Sequence, residues 1–320
     1  MLPCGLLNLN KPAGATSRQA VDIVQRLTRP AKAGHAGTLD PLATGVLVVC
    51  VGAATRLIGY VQRMPKRYTG TFLLGRQSPT EDIEGDVTDL PNAAVPTRDE
   101  IAAAAGRLIG RLEQRPPAFS ALKVHGRPAY QLARQGKPVD LAPRPVEIHR
   151  IEIVAYQYPE LVLDVSCGSG TYIRSLGRDL AESLGTSAVM SALTRLSIGP
   201  FSLEASVDPW ELNRDTWQRF LLPPDRAIEY LPRVQLSDEE VTHIRNGLTI
   251  DRSAEEVLPA TSQHSVSSCT TSRGDANAAP VEANAAPVEI VALDRTGGLV
   301  GILTPDAAGR LRTLRNMPTT

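Results

Sequence analysis

A large helix-and-strand domain followed by a smaller β-rich one is what this sequence predicts, from its length, its apolar content and a change of pattern past Tyr230. At 320 residues the chain exceeds one typical domain, and 42% hydrophobic residues suffice for a sizeable core. The expected division is 1–229 and 230–320. Leu6 to Leu9 reads as a first strand, Lys11-Pro12-Ala13-Gly14 as a turn, and Thr16 or Ser17 as the N-cap of a helix whose apolar stripe is Ala20, Val21, Val24 and Leu27. Val46 to Val51 is a short, nearly unbroken apolar run rich in β-branched residues, as expected of a buried strand. Tyr68 to Leu74 predicts a strand followed by an acidic loop. Thr97 and Glu100 form a capping box for a helix through Ile101, Ala104, Ala105 and Leu108, which Arg115-Pro116-Pro117 is expected to break.

From Pro117 to about Gly136 the basic and aromatic residues follow no long apolar period, predicting an exposed, partly helical loop of the kind that grips ligands. Val146, Ile148, Ile151 and Ile153 alternate, as do Leu161, Leu163, Val165 and Cys167, so two adjacent strands are expected. Ser175 to Leu184 reads as a helix ended by Gly185. Past Tyr230, Leu236 to Glu240 opens a short helix, and Ile290 to Leu293 with Leu299 to Leu303 predict small strands. Residues 252–289 are rich in Ser, Thr, Ala and Asn and carry the heptapeptide beginning at Ala276 twice in tandem, an insert expected to be disordered.

No stretch approaches the roughly 18 apolar residues of a membrane span, and the start lacks the pattern of a signal peptide, so a cytoplasmic location is expected. Cys4, Cys50, Cys167 and Cys269 form no CxxC pair and the five histidines no ligand-spaced cluster; no metal, disulfide framework or other cofactor is expected. Net charge is zero, yet the charges are segregated. Between Lys11 and Arg67 nine bases face only Asp22 and Asp40, and from Arg107 to Arg150 nine more face Glu113, Asp140 and Glu147. The acids collect elsewhere, notably at Glu81, Asp82, Glu84, Asp86 and Asp89. Two basic runs flanking a candidate site predict a surface that contacts phosphate.

That site is the run from Gly34 to Leu47, centred on Asp40. Pro41 disfavours the helical region for Asp40, and glycines on either side let the backbone bend, so the carboxylate sits on a shaped loop anchored by the following strand. The stretch GHAGTLDPLATG resembles the signature of the TruB family of tRNA pseudouridine synthases, in which the aspartate of GHxGxLDPxAxG is the catalytic nucleophile. The likeness covers most of residues 5–200 through separated motifs in the expected order. It implies an α+β fold: a mixed, mainly antiparallel sheet flanked by helices with the cleft across it, and a small C-terminal β-rich domain. It also implies isomerisation of uridine 55 in the TΨC loop of tRNA, with no cofactor, no membrane and no protein partner.

Residue by residue, the resemblance makes Arg174 of GTYIR the partner of the nucleophile and Tyr172 part of the uracil pocket. If that segment is extended, Tyr172 and Arg174 share one face while Ile173 turns to the core. A buried carboxylate needs such a cation, because desolvation raises its pKa. Tyr68 in Lys66-Arg67-Tyr68 matches the tyrosine that stacks on uracil and takes part in proton transfer. His35, a flat side chain five residues before Asp40, suits the space a flipped base vacates. Lys11, in Lys11-Pro12-Ala13-Gly14, supports the site wall or touches phosphate. Lys123 and Arg127 belong to the implied RNA-gripping insertion, and Leu193 packs near the base. Making pseudouridine breaks the C–N glycosidic bond, turns the ring and rejoins it through carbon; a carboxylate attacking either C1′ or C6 accomplishes this through a covalent intermediate.

Two other classes compete. The run Leu161 to Gly170 looks like the strand and glycine loop of an S-adenosylmethionine-dependent RNA methyltransferase. Such a site wants an acid about twenty positions on, whereas Leu184 to Leu203 holds no Asp or Glu, and Ser166 replaces the first glycine. A noncatalytic RNA-binding or folding protein would have no need of Asp40, Tyr68 and Arg174 together.

Overall fold

A computed structural model describes residues 2–124, 126–252, 257–258 and 288–317. The expected disordered insert lies, apart from Arg252, Val257, Leu258, Val288 and Glu289, outside the described residues. Helices pack on a sheet that is nine-stranded among the described residues, whose main path runs Gly5–Lys11, Thr44–Val51, Ala188–Ile198, Lys66–Leu74, Glu160–Cys167, Arg144–Gln157 and Gly110–Gln114. Every pairing on this path is antiparallel except that of Thr44–Val51 with Ala188–Ile198, where Thr44 lies opposite Thr194 and Gly45 opposite Arg195. The fold is therefore α+β, mixed and mainly antiparallel.

The unbroken apolar run at 46–51 follows from burial on both faces. Val46, Val48 and Cys50 join a core beneath the helix Ile58–Arg63, while Leu47, Val49 and Val51 meet Ala20, Val21 and Val24 of the helix Ser17–Thr28. Thr16 caps that helix in a capping box with Gln19. A third core lies beneath the helices Arg98–Arg107 and Ile173–Glu182, where Phe72, Leu163 and Val165 pack on Ile101, Leu176 and Leu180. Close packing fixes Gly177, since a Cβ there would stand 2.1 Å from the Phe72 ring.

Two expectations need correction, and one central strand has no counterpart among them. Arg115-Pro116-Pro117 does not end the helix begun at Thr97; that helix stops at Arg107, Leu108 caps it, and the strand Gly110–Gln114 intervenes. The strand Ala188–Ile198, central to the sheet, was not anticipated although Val189, Leu193 and Ile198 mark it as apolar. Its bulges at 190–192 and 195–197 break a strict alternation. The segment from Tyr172 is not extended: Tyr172 is the N-cap of Ile173–Glu182, so Arg174 belongs to a first helical turn.

A second, four-stranded sheet orders Arg233–Gln235, Ile290–Leu293, Leu299–Pro305 and Leu311–Asn316, with the helix Asp238–Arg245 capped by Ser237 against it. Val291 and Ile302 from this sheet, with Met317 just after it, share an apolar cluster with Tyr60 and Val61, which joins it to the larger one. Among the described residues no helix is long and apolar enough to cross a membrane.

Candidate active site

Asp40 sits where the loop after the short edge strand Ala33–His35 turns into Thr44–Val51, held from three sides. Lys11, completely buried, donates from Nζ to the carbonyls of Ala15 at 2.7 Å, Pro12 at 2.8 Å and Pro41 at 3.3 Å. Gly14 N donates to the same Pro41 carbonyl at 2.8 Å. Ser17 Oγ, in the first turn of its helix, accepts from Leu39 N at 2.8 Å and donates to Leu39 O at 3.0 Å. The peptides either side of Asp40 are thus fixed, while its side chain stays 35% exposed at the cleft.

The third hold is Arg174. Its Nε meets Asp40 Oδ2 at 3.0 Å; Nη1 donates to Thr80 O at 2.7 Å and faces Asp82 Oδ2 at 3.3 Å; Nη2 donates to Phe119 O at 3.1 Å. One buried guanidinium therefore serves two carboxylates and two carbonyls, the planar fork that arginine alone supplies. Asp82 went unassigned at the sequence level, where the acids at 81–89 were set apart from the basic surface; Glu81, Asp82 and Glu84 instead fold into the site. Asp82 is nearly fully buried and accepts from Thr80 Oγ1 at 2.6 Å and Glu84 N at 3.1 Å. Glu81 accepts from Ser175 Oγ at 2.7 Å and pairs with Arg178, tying this loop to the helix that carries Arg174. Burial pushes the Asp40 carboxyl above its ordinary range; Arg174 opposes that and Asp82 adds to it.

Two concave spaces meet at Asp40 and Arg174. One, of about 500 Å³, is lined by Tyr68, Tyr172 and Leu193 and by the cations Lys66, Arg144 and Arg195. The other, of about 830 Å³, includes His35, Arg18, Glu84, Tyr130 and Arg134. Tyr68, buried on the strand Lys66–Leu74, has its phenol pushed above the ordinary range by burial. Gln114 grips the backbone of Tyr172 from both directions, donating to its carbonyl at 3.1 Å and accepting from its N–H at 2.8 Å, and the Arg144 guanidinium lies 4.9 Å from the ring centre. His35 is half-buried; burial and the charge of Arg195 push its imidazole below the ordinary range, so it is a neutral, flat group.

Sequence reasoning also passed over Arg195, opposite Tyr68 in the sheet and 2% exposed. Its Nε donates to Val46 O at 2.7 Å and Nη2 to Gly37 O at 3.1 Å, bracing the loop before Asp40 against the strand after it. At Gly45 (φ +99°) a Cβ would stand 2.3 Å from the Arg195 carbonyl, so only glycine permits this approach. The signal was an arginine within an apolar strand pattern. Lys66 is buried beside it and pushed down to about 8, first by burial and then by Arg195.

Lys123 and Arg127 are not brought to the carboxylate. They stand exposed on a small hairpin, Lys123–Val124 with Arg127–Pro128, whose neighbours Ser120 and Ala121 line both spaces. Lys11, with no exposed surface, is out of reach of phosphate. Among the described residues no group of three or more His, Cys, Asp or Glu could hold a metal ion.

Residues 25–173 match the family described as TruB family pseudouridylate synthase, N-terminal domain. A relative named tRNA pseudouridine synthase B, from Dehalococcoides mccartyi, is 42% identical over 250 residues, covering 77% of this chain and 83% of its own. Another of that name from Arthrobacter is 43% identical over 253 residues, covering 77% and 82%. Among solved structures, a chain of a Cbf5-Nop10-Gar1 complex is 26% identical with a TM-score of 0.65, covering 94% of this chain and 78% of that one. A chain of an H/ACA RNP bound to a substrate RNA containing 2′-deoxyuridine, 22% identical, shares the fold with a TM-score of 0.67, covering 98% and 85%.

Proposed function

This chain belongs to the TruB family of pseudouridylate synthases and is an isomerase that forms pseudouridine in tRNA; on that premise we propose that its target is uridine 55 of the TΨC loop and that Asp40 is the nucleophile. The observation that carries the second part is that Asp40, reachable from both spaces of the cleft, has its backbone fixed by Lys11 and Ser17 and its side chain paired to Arg174. Preorganisation of this kind is what a covalent step needs, since it holds the attacking atom in reach of the reacting carbon. A carboxylate whose proton affinity is raised by its surroundings is a better nucleophile once ionised.

In the cycle proposed, the target uridine leaves the helix and enters the space between Tyr68, Tyr172 and Leu193, with the neutral His35 ring filling the gap left behind. Asp40 attacks C1′ or C6, the C1′–N1 bond breaks, the ring turns, C5 bonds to C1′, and the bond to Asp40 breaks, either displaced from C1′ by C5 or eliminated from C6 as the ring regains its double bond, so the carboxylate is returned. The C5 proton is then lost and N1 gains one, with Tyr68 as the relay beside the ring. No electron is gained or lost and no cofactor enters. Arg174 positions Asp40 and offsets its charge. Lys123 and Arg127 contact the phosphates of the stem from their exposed hairpin.

We take 1–229 as the catalytic domain and 230–320 as the smaller RNA-contacting one, supported by the exposed Arg310, Arg312 and Arg315 at the far edge of the second sheet. The assigned compartment is the cytoplasm. Unmodified tRNA incubated with the protein alone tests the reading: pseudouridine at position 55, mapped by carbodiimide primer extension, is expected without any addition. Product at another uridine would overturn the site assignment, and a requirement for a methyl donor would overturn the reaction.

A further inference from the structure

A shallow concavity away from Asp40 is built on the exposed face of the helix Ser17–Thr28. It is lined by Arg18, Asp22, Gln25, Arg26 and Arg29, and by Trp210 from a later loop. Trp210 is 51% exposed, which is unusual for the largest side chain, whereas Trp217, the other tryptophan, is buried in the core under the same helix. Arg18 pairs with Asp22 at 2.7 Å, but among the described residues Arg26 and Arg29 have no ion-pair partner. Gln25 bonds the loop that follows, donating to Ala31 O at 2.7 Å and accepting from Ala33 N at 2.8 Å, so the floor of the concavity is fixed.

We propose that this concavity is a second RNA subsite: Arg26 and Arg29 hold phosphates, and an unpaired nucleobase of the same tRNA, outside the TΨC stem-loop, stacks on Trp210. The inference rests on the tRNA reading above. Three features select RNA over other partners. Arg18 lines both this concavity and the space that reaches Asp40, so the surface continues that of the cleft. From Arg18 to Arg29 the helix face extends about 16 Å, long enough for its basic side chains to meet more than one phosphate of a strand. A half-exposed indole beside guanidinium groups is the arrangement that binds unpaired bases without regard to sequence.

The test compares full-length unmodified tRNA with an isolated TΨC stem-loop as substrates for the wild type, Trp210→Ala, Trp210→Phe and the double variant Arg26→Ala with Arg29→Ala. Trp210→Ala is expected to raise KM for full-length tRNA roughly ten-fold, with kcat unchanged and KM for the stem-loop unchanged; Trp210→Phe restores most of the loss. The double variant is expected to lower the slope of log affinity against log salt by about 1.4 on full-length tRNA. RNA binding should quench tryptophan fluorescence in the wild type and leave it unquenched in Trp210→Phe, a reading independent of turnover. Unchanged KM, slope and quenching on full-length tRNA would overturn the subsite, as would equal weakening on both RNAs. Absence of pseudouridine with the wild type would instead overturn the function on which it rests.

Discussion

The loop carrying Asp40 and the segment from Phe119 to Gly136 face each other across the same cleft, yet they are built oppositely. The first is over-determined: Lys11 Nζ and Gly14 N donate to the Pro41 carbonyl, Ser17 Oγ donates to that of Leu39, and a buried arginine fixes the side chain. The second hangs on few bonds, among them Ala129 N to Leu122 O at 2.7 Å and Tyr130 N to Ser120 O at 3.0 Å, with Ala129 and Ser120 its buried anchors. On the function proposed above the difference separates tasks: bond breaking tolerates little displacement of the reacting atom, whereas gripping a bulky RNA calls for a segment that can adjust.

Asp40→Asn attacks the rigid side most directly. We expect product formation to fall roughly 10³-fold or more with tRNA affinity retained; loss of binding with normal turnover per bound RNA would contradict the nucleophile assignment. Arg174→Lys comes next. A lysine cannot serve two carboxylates and two carbonyls in one plane, so kcat should drop roughly 100-fold, with unfolding stability lower by about 3 kcal/mol; an unaltered denaturation curve would show that the pairing is dispensable to the fold. Lys11→Met keeps the length and removes the donors. Leaving buried carbonyls unsatisfied should cost about 1–3 kcal/mol, read by urea unfolding, and the loss should appear in kcat before KM.

The pH profile sharpens the same contrast. As the proposed nucleophile Asp40 must be ionised to attack, and its pKa is raised, so kcat should fall on acidification at a higher pH than an ordinary aspartate would give. Asp82→Asn removes a like charge, and its acid limb should move to lower pH; a limb that stays put would exclude Asp40 as the titrating group. On the adaptable side the effect is smallest. Lys123→Ala with Arg127→Ala should raise KM several-fold with kcat intact and shift stability by no more than about 0.5 kcal/mol.

The sequence made one half of this contrast plain. The Asp-Pro loop, the apolar run behind it and the capping boxes at Thr16 and Thr97 are local patterns with local causes. The roles of Asp82 and Arg195 could not be read locally for a shared reason, although an arginine in an apolar pattern marks the second as unusual. An acid within an acidic run resembles a solvated face, and nothing near Asp82 in sequence announces the guanidinium it meets in space. The role of Arg195 depends on Gly37 and Val46, reached only by folding. The extended alternative for Tyr172 to Arg174 fails at Ile173, because a helix start and a strand end look alike over three residues; the register of Arg174 is decided by the tertiary contacts of Ile173 and Leu176.

The late strand Ala188–Ile198 lies between the strand after Asp40 and the strand bearing Tyr68. A growing polypeptide therefore carries Asp40 long before the strand that seats Arg195 and Leu193 has been synthesised, and a chain truncated before residue 188 should form no pseudouridine however much of its signature it retains.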